Sequence, residues 1–556
     1  MVCQSNGGRP VSIMNISRVS GRLSVFLLLM FASASAVVSW GQVSVLTANY
    51  DNSRSNANTQ EKTLNTQNVN SAQFGKLAIF KVDGYVYAQP LYLSQVEIPD
   101  RGTLDVVIIV TMHNGVFAFD AQSFGTPSPL WQSHMGHPVS NLFYRFEDIV
   151  PEVGILSTPV IDPDTNTIFL VANTFEKGHS VYTLHALDIL TGEEKSGGGR
   201  VISGSVPGNG AEGEAGTLTF DPDQHLQRPG LVLNNGTIYV SFGSHADIPP
   251  FHGWVFGFDE ADLHQTGIWC STPDGGAGSV WQAGHAPAVD SEGNLYVVTG
   301  NGDYDGTSNF GQSVVKLDVS GGISVSDWFT PDNWLAEALA DNDLGSTGPM
   351  LVPGTGQIIG TGKQGIIYLV DQNQLGHLQA GNTQIPQSFQ AVTWGIFNMA
   401  YWERSAGMLL YVWGWGEPLR SYRMAGATFD TTPLSVNPVW SGTPYVGMAV
   451  SADADVAGSG ILWVTTAPRI EQPRPGTLHA FDASDISREL WNSDQALDRD
   501  GLGYFAKFAT PTVANGRVFV PTFSNSVVTY GLLDPHHPPG DRSRFPIKPG
   551  FPRELR

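Results

Sequence analysis

NGVFAFD, residues 114–120, closes a strand on an apolar residue and Asp. The same ending returns as SVYTLHALD (180–188), HGWVFGFD (252–259), QSVVKLD (312–318), GIIYLVD (365–371) and GTLHAFD (476–482). A blurred copy lies near Leu419–Arg423 and a last one at Ser526–Tyr530. Such recurrence marks a repeat array, which has to be recognised before any local motif is read. Before each ending stands another apolar strand behind a turn, such as VVIIV (106–110), TIFLVA (167–172), GILWVTT (460–466) and NGRVFVPT (515–522). Short β-branched and aromatic runs bounded by Gly, Asn and Asp are the strands of hairpins. Further upstream comes a strand that often carries Pro, as in STPVID (157–162) and ATPTVAN (509–515). Several units add an outer strand with Trp, as in PLWQS (129–133) and ELWNS (489–493).

Four antiparallel strands per unit, repeated around an axis, predict an all-β chain folded as an eight-bladed β-propeller. First strands fall near Gln89, Pro159, Pro229, Pro287, Pro349, Met399, Val450 and Pro511. The last unit has only three strands, so KLAIFKV (76–82) is expected to supply its outer one and close the ring, pairing edges that would otherwise stand exposed. Two stacked sandwiches would not account for one repeat running the full length. The propeller is expected over residues 74–533. A polar stretch (37–73) precedes it and is expected to cross the surface, and a Pro-rich, disordered tail (534–556) follows.

Arg18 and Arg22, the apolar run Leu23–Phe31 and the small residues Ala32–Ala36 follow the order of a secretory signal peptide, predicted over 1–36. This implies a secreted or periplasmic protein with no transmembrane segment after removal of the leader. Lys and Arg total 29 against 51 Asp and Glu, which argues against nucleic-acid binding, since that needs a basic footprint. Of the two cysteines, Cys3 belongs to the leader, so Cys270 has no intramolecular partner and reads as a small buried hydrophobe. The 14 histidines form no HxxxH or HxH pair on one element, which with one mature Cys argues against a zinc site; His134 and His137, three apart in a loop, are a weak metal signal. Arg145, Glu147, Asp148 and Glu152 lie in a long insertion between the first two units.

Blades with this closing Asp and Trp-bearing outer strands resemble the quinoprotein alcohol dehydrogenase family, whose repeats bind pyrroloquinoline quinone. The resemblance is closest in three segments. NTFEKGHSVYTLHALDILTGEE (173–194) is similar to the segment with a calcium-ligating Glu, here Glu176. VDSEGNLYVVTGNGDYDGTSNFGQSVVKLD (289–318) is similar to the one with a calcium-binding Asn, here Asn301. DNDLGSTGPMLVPGTGQIIGTGKQGIIYLVD (341–371) is similar to the one with the catalytic Asp, here Asp343 or Asp341, followed by a basic residue on the quinone, here Lys363. The resemblance thus implies a metal set of Glu176, Asn301 and Asp343 and cofactor contacts from Lys363 and Trp281. Two departures stand out: the family's adjacent Cys pair is missing, and in WQAGHAPAVD (281–290) Trp281 precedes the place of the family's stacking Trp.

Two functions follow. One is an exported propeller with a degenerate quinone and calcium site that binds a protein or polysaccharide without catalysis. The other is a pyrroloquinoline-quinone- and calcium-dependent dehydrogenase of a small alcohol or sugar. Aromatics crowd the sixth unit (Trp394, Phe397, Tyr401, Trp402, Tyr411, Trp413, Trp415), as a sugar-stacking surface or as inter-blade packing.

Overall fold

The computed structural model describes residues 43–534 apart from positions 147, 196 and 472, so the expected leader and nearly all of the expected tail lie outside the described residues. Eight antiparallel sheets succeed one another along the chain as the blades of a propeller. In blade one the strands are Leu91–Ile98, Gly102–Val110, Gly115–Asp120 and Trp131–His134, hydrogen-bonded in that order. Each recurring ending forms a blade's third strand, including the blurred copy, which lies in Pro418–Ala425.

The closing Asp has a local physical cause. Asp120, Asp188, Asp259, Asp318, Asp371 and Asp482 each accept, through Oδ1, the backbone N–H two residues on, at 2.8–2.9 Å. A carboxylate that bonds its own chain two residues later mimics a turn and ends the strand.

Eight apolar clusters hold the ring, one between each pair of neighbouring blades. Ring closure follows the expected route. Phe74–Lys81 pairs antiparallel with Ser526–Leu532 and becomes the outer strand of blade eight. Its Phe74 is buried edge-on against Trp491, at 5.0 Å between ring centres. Fully burying such a side chain contributes about 1.5–3 kcal/mol, so ring closure is strongly driven.

Within the polar stretch before this strand, residues 46–58 run along the inner strands, whereas much of 59–73 is exposed. Leu46, Asn52, Ser53, Ser55 and Asn56 offer their carbonyls to Ile161, Val289, Leu351, Tyr401 and Val450, which lie on the inner strands of blades two, four, five, six and seven. Ala57–Asn58 adds a short parallel strand to blade seven. Arg54 is fully buried and donates to the carbonyls of Ala48, Asp51 and Pro287. The stretch is polar because it satisfies inner-strand edges along the axis, where an unpaired backbone group would be costly. No helix among the described residues is long and apolar enough to cross a membrane.

Candidate functional site

The chain enters each inner strand through a blade-to-blade connection and turns between the second and third strands of each blade. These two classes of loop build the site. Asp343 lies in the connection into blade five and is 3 % exposed. Its Oδ1 accepts the backbone N–H of Asn301 at 2.8 Å, and its Oδ2 is 2.6 Å from Lys363 Nζ. The Lys363 backbone N–H donates in turn to the Asp343 carbonyl at 2.9 Å, so the pair is fixed by main chain and side chain together. Glycine is required at position 300, where a Cβ would collide with the Asp343 carboxylate.

Asp341, at positive φ and exposed, accepts from both Asn301 Nδ2 and Lys363 Nζ at 2.9 Å. Gln312 donates to the Asn301 side-chain oxygen at 3.0 Å. A third carboxylate joins from blade three: one oxygen each of Asp247, Asp341 and Asp343 lie within 4.8 Å of one another. Asp247 is oriented by Ser244 Oγ at 2.6 Å and by Trp281 Nε1 at 3.2 Å. Trp281, early in its segment, therefore still reaches the site. Glu176 stands apart, exposed at the end of Thr167–Glu176, where it accepts from Thr174 Oγ1 at 2.9 Å. The carboxylate that completes the group is Asp247.

Burial and the Asp247 charge push the Asp343 carboxyl up to about 6, against the pull of Lys363. Burial also opposes charge on Lys363, but Asp343 and Asp341 outweigh it and hold its pKa above the ordinary lysine value. Both shifts leave an ammonium–carboxylate pair at neutral pH.

Beside this group lies an aromatic wall with buried cations. Tyr445 and Phe508 rings are 4.6 Å apart, Phe397 stands edge-on to Tyr445 at 5.2 Å, and Trp394 donates to Asn342 at 3.0 Å. Tyr445 lies within electrostatic reach of Lys363 and Asp341 and also of Asp148 and Arg474. Arg228 lies over Tyr87 and Phe508 at 5.1 and 5.0 Å from the ring centres, and Arg474 over Phe505 at 4.9 Å. Lys507 pairs with Asp148.

Arg474 is 0 % exposed, yet among the described residues none of Nε, Nη1 and Nη2 has a hydrogen-bond partner; Arg228 Nη1 and both ring nitrogens of His245 have none there either. A buried charge without a hydrogen bond is expensive, so an anion at these groups would relieve a standing cost. The crowded sixth blade divides accordingly: Trp402, Tyr411 and Trp413 are buried between blades, whereas Trp394 and Phe397 join this wall, with Trp415 half-exposed beside Trp394. Cys270 is buried in an inter-blade core, which pushes its thiol up to about 12. An open cleft of ≈ 530 Å³ lined by Leu130, Asp188, Glu194 and Lys195 contributes none of these groups.

No protein-family model matches the sequence, and no curated protein matches it. Among solved structures, the quinohemoprotein alcohol dehydrogenases of Pseudomonas putida HK5 and of Comamonas testosteroni each superpose with a TM-score of 0.56 at 14% identity. The match covers 88% of this chain and 80% of each of theirs. The fold is that of the quinoprotein alcohol dehydrogenases. On this propeller, the positions singled out in blades four and five converge. Asp247 and the cations from blades three, seven and eight were not singled out by motif. Asp247, Asn301, Lys363 and Arg474 nevertheless share one signal, since each follows the second strand of its blade.

Proposed function

We propose that this propeller binds a planar, polycarboxylated quinone of the pyrroloquinoline type together with a calcium ion, and oxidises a small alcohol or sugar. The observation that supports this most is the convergence of Asn301, Asp341, Asp343 and Lys363, with the buried Arg228 and Arg474 on the adjoining aromatic wall and Arg474 without a hydrogen bond among the described residues. The donor set fits both groups. Carboxylates of Asp247, Asp341 and Asp343 with the Asn301 amide oxygen are the hard ligands calcium takes. The guanidinium groups match carboxylates, and the aromatic wall suits a flat ring. When bound, the quinone would supply the hydride acceptor and the calcium a Lewis acid.

The chain's own residues would do the rest. Asp343, ionised above about pH 6, would accept the substrate hydroxyl proton, with Lys363 and the Asn301 N–H holding its carboxylate in place. Lys363 adds positive charge where negative charge would develop. Arg228 and Arg474 would anchor the ligand, and Trp281, Tyr445 and Phe508 would keep water from it. With a leader-like N-terminus, this chemistry would take place outside the cytoplasm.

One observation favours a second reading. Lys363 Nζ already touches both Asp341 and Asp343, as a permanent substitute for a metal would. On that reading the propeller holds an anionic part of a protein or polysaccharide ligand without chemistry. Reconstitution separates the two. Purified protein given quinone and calcium should develop the bound cofactor's absorbance and reduce an artificial acceptor with an alcohol or sugar, and Asp343→Ala should abolish turnover. Absence of any spectral change would sink the dehydrogenase reading, and cofactor binding without turnover on any alcohol or sugar would select the second.

A further inference from the structure

Blade one carries a second convergence that shares no residue with the site above. Asp83 follows the ring-closing strand, His113 lies in the turn between the second and third strands, and His134 ends the fourth. One ligand atom from each lies within 4.8 Å of the others. The imidazoles stand edge-to-face with centres 5.3 Å apart. Each donor is prepared in its own way. The Asp83 Oδ1 accepts from Thr111 Oγ1 at 2.6 Å, and the carboxylate lies so close over Gly115 that a Cβ there would collide with it. Glu152 Oε1 holds His113 Nδ1 at 2.7 Å, whereas His113 Nε2 has no partner among the described residues. The exposed His134 makes no hydrogen bond there; its ring meets only His113.

We propose that Asp83, His113 and His134 form a site for a divalent borderline transition metal, of which Zn2+ is the representative. With Nδ1 donating its proton to Glu152, Nε2 of His113 keeps the lone pair a metal takes; a carboxylate behind a ligating imidazole is the usual outer support of such sites. Two imidazole nitrogens and one carboxylate oxygen suit zinc and its neighbours, whereas calcium takes oxygen ligands. Three protein ligands leave the fourth tetrahedral position open to water or an anion. Glu152 belongs to the insertion between blades one and two, so the site ties that insertion to blade one.

The test needs no quinone and stands apart from the reading of the axial site. The full chain, stripped with a chelator, is titrated with Zn2+ against a competing fluorescent chelator, and its Co2+ form is examined for visible d–d absorption. One Zn2+ should bind, raise the melting temperature and resist competition by Ca2+. Both His134→Ala and His113→Ala should weaken it at least tenfold and remove the Co2+ band. Glu152→Gln should weaken it about tenfold with the stoichiometry kept. His134 is exposed and free of hydrogen bonds, so its variant should fold as the wild type does, verified by circular dichroism. Another cluster, Asp259, Asp262 and His264, is the control. Unchanged Zn2+ affinity in His134→Ala, or loss of binding in His264→Ala alone, would overturn the proposal.

Discussion

The inner strands and the loops between the second and third strands belong to the same eight blades, yet a buried arginine at each is in the opposite state. Along the strands, residues 46–58 meet most of the blades in turn, and the fully buried Arg54 reaches three carbonyls. In the loop after the second strand of blade seven, the buried Arg474 reaches none among the described residues. Both arginines have had the water removed from around them, but only Arg54 has received hydrogen bonds in exchange. Arg54 is thereby part of the structure, whereas Arg474 keeps its donors for a ligand on the proposed reading.

Substitution of the two arginines should break the symmetry between them most clearly. Arg54→Met leaves several buried carbonyls unpaired and should lower unfolding free energy by more than about 3 kcal/mol, read from denaturant midpoints. Arg474→Met removes a buried charge that makes no hydrogen bond among the described residues. It should be neutral or stabilising by about 1 kcal/mol without ligand, while weakening quinone binding at least tenfold. A large loss of stability in Arg474→Met would place that residue with Arg54 and remove the contrast.

Acid sharpens the same comparison. Burial pushes His225 down to about 3 and His285 down to about 4, so both stay neutral in the fold. The unfolded chain takes up those protons below about pH 6.5, so the stability these residues contribute is complete above that value and lost as the pH falls towards 4. Each should add about 1.4 kcal/mol per pH unit to the slope through that window, and His225→Gln should flatten it by one proton. The smallest effect is expected at Trp281→Phe. It removes the 3.2 Å bond to Asp247 and should cost under about 1.5 kcal/mol of stability while weakening calcium-dependent quinone binding a few-fold.

The fold was legible because each blade states it locally: the Asp that ends a third strand makes its own turn, so the signal survives wherever the copy is clear. The same was true of ring closure, where an apolar strand precedes blade one and the last unit lacks its fourth strand. Asn301, Asp343 and Lys363 were readable from motif, and the structure brings them together. Asp247 was not, because it lies in SHADIPP, which resembles no segment of the pattern. Arg228, Arg474 and Lys507 were hidden for another reason: a cation in a loop reads as solvated until the loops of other blades are seen to bury it. Residues 46–58 of the polar stretch misled in the same sense, since Asn, Ser and Thr facing strand edges look like Asn, Ser and Thr facing water.

The most direct test of the central claim, that the loops into the inner strands and those after the second strands together form a quinone and calcium site, is a spectroscopic titration of the purified chain with pyrroloquinoline quinone in the presence of calcium. Saturable binding of one equivalent, strongly weakened in Arg474→Met and in Lys363→Met, is the predicted result. Absence of binding by the folded wild type, or equal binding by both variants, would contradict it.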